Sequence, residues 1–108
     1  GEVEFSPRLI ESVDKRQMIV RLLHNLKAAL VRGGDDAGAL GAVERLLLLD
    51  PGDLAQVRDQ GLLLFRLRRL APAVEPLTRY LTEAGEVDDR AEVEATLAAV
   101  RLQLGSLN

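Results

Sequence analysis

One histidine, His24, no cysteine and three serines, Ser6, Ser12 and Ser106, are a thin inventory from which to build histidine-, thiol- or serine-based chemistry. A thiolate nucleophile, a disulfide framework and a cysteine zinc site are excluded outright. No serine stands in a Gly-x-Ser-x-Gly turn, and His24 has no second histidine with which to share a metal. Gly33-Gly34 is followed by Asp35-Asp36 and not by a Gly-Lys-Ser/Thr step, so the chain has no phosphate-cradling loop. The expectation is a protein that is not an enzyme and holds no cofactor or metal. What the chain does carry is unevenly placed charge. Arg58, Arg66, Arg68, Arg69 and Arg79 against Asp59 and Glu75 leave residues 54–82 at +3, whereas Glu83, Glu86, Asp88, Asp89, Glu92 and Glu94 against Arg90 leave residues 83–94 at −5. Bases near a helix C-terminus and acids near the next N-terminus complement the helix dipoles, and this account stands beside that of a partner-binding patch. A net charge of −3 gives little global attraction to nucleic acid or to an anionic membrane.

Elements able to position these charges must be helical. Aromatic residues are only 3% of the 108, so aliphatic side chains have to fill the core. Leucine, alanine and arginine dominate, and all three favour helix over strand. The fold class expected is all-α, in one domain. No uninterrupted apolar run is longer than Leu46 to Leu49, which is far short of the roughly 20 residues that cross a bilayer. With no signal-like start either, the expectation is a cytoplasmic protein with neither membrane nor nucleic acid as partner.

Apolar periodicity outlines five helices. Asp14 with Gln17 reads as a capping box before a helix near 15–32, with Ile19, Leu22, Leu23, Leu26 and Leu30 as its apolar stripe. Gly33-Gly34 should close that helix, and Asp35 or Asp36 should cap the next, which carries Ala39, Leu40, Val43, Leu46 and Leu47. Asp50-Pro51-Gly52-Asp53 is a stop followed by a cap for a third helix reaching about Leu67. The fourth, over about 71–84, places Pro72 at its first position and Pro76 where it removes the first internal bond, which predicts a locally bent start. Gly85 is the expected stop, and Asp88 or Asp89 the cap of a fifth helix bearing Val93, Leu97, Val100, Leu102 and Leu104. Tyr80 is expected to pack with its hydroxyl in solvent. Residues 1–13 read either as a linker or as a short turn opened by Ser6-Pro7, with Val3, Phe5, Leu9 and Ile10 pinned on the body. Leu46 to Leu49 exceeds one helix face, so a leucine there needs cover from the N-terminal segment, another protein or a second copy.

The chain is self-similar at a shift of 34 residues. Leu30 falls on Leu64, Val31 on Phe65, Arg32 on Arg66, Ala39 on Ala73, Leu40 on Val74, Val43 on Leu77, Arg45 on Arg79 and Leu47 on Leu81. That period, with Gly61, Leu64, Ala73, Leu77 and Tyr80 in the second unit and Leu49-Asp50-Pro51 ending the first, resembles the tetratricopeptide repeat family. Lys27 stands where that pattern has a small residue and Gln60 where it has a large apolar one, which implies slightly looser helix pairing. More narrowly, the runs Asp14 to Gln17, Arg21 to Ala28, Arg45 to Pro51 and Arg58 to Gly61 are similar to the C-terminal tail of bacterial SirB-type proteins, which carry a transglutaminase-like domain ahead of a short repeat tail.

The resemblance implies a short right-handed α-solenoid: residues 1–13 as linker or turn, a helical domain over 14–108, repeats at 20–53 and 54–87, and a capping helix at 88–105. It further implies that the first helix of each unit lines an inner surface. Arg21, His24, Ala28, Val31 and Arg32 would point inward from the first unit, and Ala55, Arg58, Leu62, Phe65 and Arg66 from the second. An apolar floor ringed by arginines suits an acidic peptide or partner helix, since guanidinium groups pair bidentately with carboxylates. The function implied is a non-catalytic protein-interaction scaffold, with Arg21, His24, Ala28, Arg32, Arg58, Leu62, Phe65 and Arg66 as the partner-binding residues. Phe65 could equally serve as packing, and the arginines as solvated surface pairs. Two other classes stand beside the scaffold. One is a structural appendage or homodimerisation module of a larger, transglutaminase-like protein. The other is nucleic-acid binding through the arginine-rich end of the third helix, which the acidic total and the absence of interleaved aromatics disfavour.

Overall fold

The computed structural model describes the backbone of residues 7–106 and the side chains of residues 14–106. Five α-helices follow one another: α1 Pro7–Arg32, α2 Asp36–Leu49, α3 Leu54–Arg66, α4 Leu70–Glu83 and α5 Arg90–Gly105. The helix ends repeat: α1 and α3 stop 34 residues apart, and α2 and α4 both start and stop 34 residues apart. Two copies of one helical hairpin therefore stand in phase, followed by α5.

Local chemistry explains most of these ends. At the close of α1 the Asp35 amide donates to Leu30 O at 2.8 Å and the Gly34 amide to Val31 O at 3.1 Å, with Gly34 at φ +76°. This is a Schellman motif, whose left-handed residue glycine adopts without cost. The same pair of bonds recurs at the end of α3, Arg69 to Leu64 O and Arg68 to Phe65 O, both 2.9 Å, but the left-handed residue is Arg68 at φ +62°. Asp35 caps α2 as expected, its Oδ1 accepting from the Gly38 amide at 2.8 Å.

Four local expectations need correction. First, α1 begins at Pro7 and runs straight through Asp14, because no glycine or proline interrupts residues 8–32; the Asp14-Gln17 pair is two helical residues three apart, not a cap. Val3 and Phe5, and the side chains of Leu9 and Ile10, lie outside the described residues. Second, Asp53 and Asp89 hold N-cap positions but make no side-chain cap bond. Third, Pro72 is the third residue of α4, where its amide is still not needed, while Pro76 sits inside the helix and removes the bond to the Pro72 carbonyl. The Pro76 ring is buried, and its packing offsets part of that loss. Fourth, Tyr80 is buried and its hydroxyl donates to Asp89 Oδ1 at 2.6 Å, so it is held by a carboxylate and not simply left to solvent.

One core runs through the stack. Ala39, Leu40 and Val43 of α2 meet Val57 and Leu64 of α3, then Ala73 and Leu77 of α4, then Val93, Leu97 and Val100 of α5. Gly61 permits the close approach of α3 to α4, since a Cβ there would lie 2.6 Å from Leu77 Cγ and Cδ2. No described residue of α1 is buried: Leu23 and Leu30 are half-buried, while Ile19, Leu22 and Leu26 of its expected stripe stand largely exposed. Leu102 of α5, at 76% exposure, also leaves its expected place in the core, and Leu48 at 82% is the uncovered member of the leucine run. Among the described residues the backbone of α1 packs only on α2, so one face suffices for packing and most of the rest stays out.

Candidate protein-interaction site

The backbones of α3 and α5 approach one another, but no Cα of α1 comes within 8 Å of one in α3 among the described residues. The cause is Lys27. Its ammonium donates to Gln56 Oε1 at 2.8 Å and to Asp59 Oδ2 at 2.5 Å, so two polar bonds stand where a small residue would let the helices close. Between α1 and α3 this leaves an open groove of about 530 Å³. Ala28, Val31, Leu62 and Leu63 form its apolar floor. His24, Lys27, Arg32 and Arg66 give it a basic rim, and Asp59 is its single acid.

Asp59 does not make the groove acidic. It accepts from Lys27 on one oxygen and from Arg58 Nε on the other, at 2.8 Å. Arg58 continues the chain of bonds to Asp89 Oδ2 at 3.0 Å, and Asp89 accepts from Tyr80. The guanidinium also lies 5.9 Å from the centre of the Tyr80 ring. The hydrogen bond to Asp59 is the main reason the Arg58 guanidinium holds its proton more tightly than usual, against the opposing effect of burial. The Tyr80 hydroxyl holds the Asp89 carboxyl below the usual carboxylate range, with Arg58 adding to the effect, and Asp89 in turn pushes the Tyr80 hydroxyl above the ordinary tyrosine value. From α1 to the start of α5, these bonds tie the two hairpins together.

A family model described as a tetratricopeptide repeat matches residues 26–104, most of the chain. The chain belongs to the tetratricopeptide repeat family. No curated protein and no solved structure gives a significant match, and the family match says nothing of a SirB-type tail. Tetratricopeptide repeats generally mediate protein–protein interactions and act as non-catalytic scaffolds. Among the described residues no helix is long and apolar enough to cross a membrane.

Within this tetratricopeptide repeat the expected inner residues divide. His24, Ala28, Val31, Arg32, Leu62 and Arg66 come together around the groove. Arg21 does not join them; it borders a separate shallow depression with Arg16, Gln17 and Val20. Arg58 is turned away, consumed by Asp59 and Asp89. Phe65 is half-buried against the core and, like Ala55, does not line the groove. Lys27, Asp59 and Leu63 are groove residues that the helical period alone does not single out. A signal existed for Lys27, because a charge at a position built for a small side chain requires a partner.

The two rim arginines are engaged to different degrees. Arg66 Nη2 lies 3.2 Å from Asp36 Oδ1 yet stays largely exposed. Arg32 is exposed and forms no ion pair among the described residues.

Proposed function

We propose that the groove between α1 and α3 captures an extended or helical segment of a partner protein that bears carboxylates. The observation that carries this reading is the pairing of an apolar floor with Arg32 and Arg66, in a groove whose single acid is already neutralised by Lys27 and Arg58. Guanidinium groups bind carboxylates in a bidentate fork, and Ala28, Val31 and Leu62 offer a dry surface for the apolar side chains between them. His24 supplies a further donor at the groove mouth.

The test is a peptide array screened with the chain, followed by fluorescence polarisation with the best acidic peptide and its Asn/Gln counterpart. The expected result is selection of peptides rich in Asp and Glu, and an affinity reduced about tenfold or more by Arg32→Glu with Arg66→Glu. The helical circular dichroism should be unchanged, since both side chains are exposed. Arg58 is not the residue to vary, because its loss would break the bonds that join the hairpins. Selection indifferent to acidic residues, or an unaltered affinity in the double variant, overturns the assignment.

A second reading keeps the chain as an appendage of a larger protein. It is favoured by the exposed Met18 and Leu22, and it uses the side of α1 opposite the groove.

A further inference from the structure

Between an extended and a helical occupant, three features of the groove favour the extended one. The first is an unused donor. Lys27 lines the groove with its side chain only 15% exposed, and its ammonium gives two of its three hydrogens to Gln56 Oε1 and Asp59 Oδ2. No described residue accepts the third. In the open groove water can take that hydrogen, but an occupant that excludes water must bring an acceptor or leave a charged group unsatisfied. Main-chain carbonyls of an extended segment are free to accept. In a helix they are taken up by the amides four residues on, except in the last turn.

The second feature is the charge around that donor. Lys27 and Arg58 are bonded to Asp59 and Asp89, so the four groups together are neutral, and Asp59 already touches the ammonium. A partner carboxylate placed there would meet Asp59 as a like charge, so the acceptor that fits is a neutral one. The acids of the partner belong at the other end of the floor, with Arg32 and Arg66. The third feature is spacing. Lys27 and Arg32 are five residues apart on α1, a rise of about 7.5 Å, which an extended chain covers in about two residues. We infer that the groove takes its segment in extended form, a main-chain carbonyl accepting from Lys27 and an Asp or Glu about two residues away held by Arg32 and Arg66. His24, whose side chain makes no hydrogen bond among the described residues, stands just under one turn before Lys27 and faces the same main chain. The inference rests on the peptide-capture reading and deepens it, by assigning the shape and register of the captured segment and giving Lys27 a part in recognition.

Fluorescence polarisation tests it with a short end-blocked peptide that carries a single Glu among Ala, Val and Ser. Two altered forms accompany it: one held helical by α-aminoisobutyrate in place of its alanines, and a set in which one backbone amide at a time becomes an ester, whose carbonyl is the weaker acceptor. The helix-held form should bind wild type about tenfold or more weakly than the flexible one, and one ester about two residues from the Glu should lose about tenfold. In Lys27→Met, where Asp59 keeps its bond to Arg58, that same ester should make no further difference. Should Lys27→Met lose its helical circular dichroism, the helix-held peptide and the ester scan on wild type decide the matter. Equal or tighter binding of the helix-held form, a flat ester scan, or an ester loss that persists in Lys27→Met overturns the inference; the groove assignment survives if Arg32→Glu with Arg66→Glu still weakens capture. A flexible peptide that fails to bind, or binds without regard to Arg32 and Arg66, overturns the groove assignment and this inference with it.

Discussion

Helices α1 and α3 hold the same place in successive 34-residue units and yet live in different surroundings. α3 buries Gln56, Val57, Gly61, Leu63 and Leu64 and touches α2, α4 and α5. α1 buries no described residue and packs on α2 alone. Position within the repeat therefore does not set how much a side chain contributes to stability; the neighbours on both sides do. The difference also makes the site, because the one place where successive first helices stay apart is where Lys27 replaces the small residue.

The comparison breaks first at an aligned pair of leucines. Leu64→Ala should cost about 3 kcal/mol, the usual range for a buried leucine, whereas Leu30→Ala at the matching position should cost about 1 kcal/mol. Urea unfolding followed at 222 nm measures both, and equal midpoints would show that the two units share one environment after all.

The polar chain from Lys27 to Tyr80 gives the next effect. Tyr80→Phe should lose about 1–2 kcal/mol, since it removes a hydrogen bond to a charged group. Its pH dependence is the sharper signature. Asp89 has a lowered pKa in the folded state, so its contribution is present above the ordinary carboxylate value and is lost as pH falls through the folded one. Tyr80 has a raised pKa, so its contribution is present below pH 10 and is lost as pH rises through its folded value. Melting temperatures of wild type should drop at both extremes relative to Tyr80→Phe, and parallel pH profiles would remove this link from the account.

The smallest effect compares the two hairpin turns. Gly34 and Arg68 are aligned and both left-handed, but only glycine takes that shape without strain. Arg68→Gly should raise stability by about 0.5–1 kcal/mol, and Gly34→Ala, which would meet no atom within 4 Å, should lower it by a similar amount. Differential scanning calorimetry resolves both, and a loss of stability in Arg68→Gly would place the value of Arg68 in its bond to Gln103.

What could be read from the residues follows from which forces are local. The 34-residue phase, the Gly34 turn and the Asp35 cap are dictated within a few residues, and the structure repeats them. The Arg68 turn was hidden because arginine does not announce a left-handed backbone. The start of α1 was misplaced because Asp14 and Gln17, three apart, look alike at a cap and on a helix face. For the candidate site, helical period puts His24, Ala28, Arg32, Leu62 and Arg66 on one surface, and the structure brings these five around the groove. It does not foresee that Arg58 is bonded to Asp59 and Asp89 and lies off the groove, because its direction depends on where Asp89 arrives from 31 residues away. It also overrated the core role of Ile19, Leu22 and Leu26, because a stripe records where a neighbour can pack and not whether one is there.

Because the backbone of α1 packs on α2 alone and α1 reaches α3 through the bonds of Lys27, it can detach at the cost of those bonds while α2 to α5 keep their shared interior. Amide exchange should therefore be graded along the molecule, quickest in α1 and slowest in α3 and α4, with no single opening event governing all five helices.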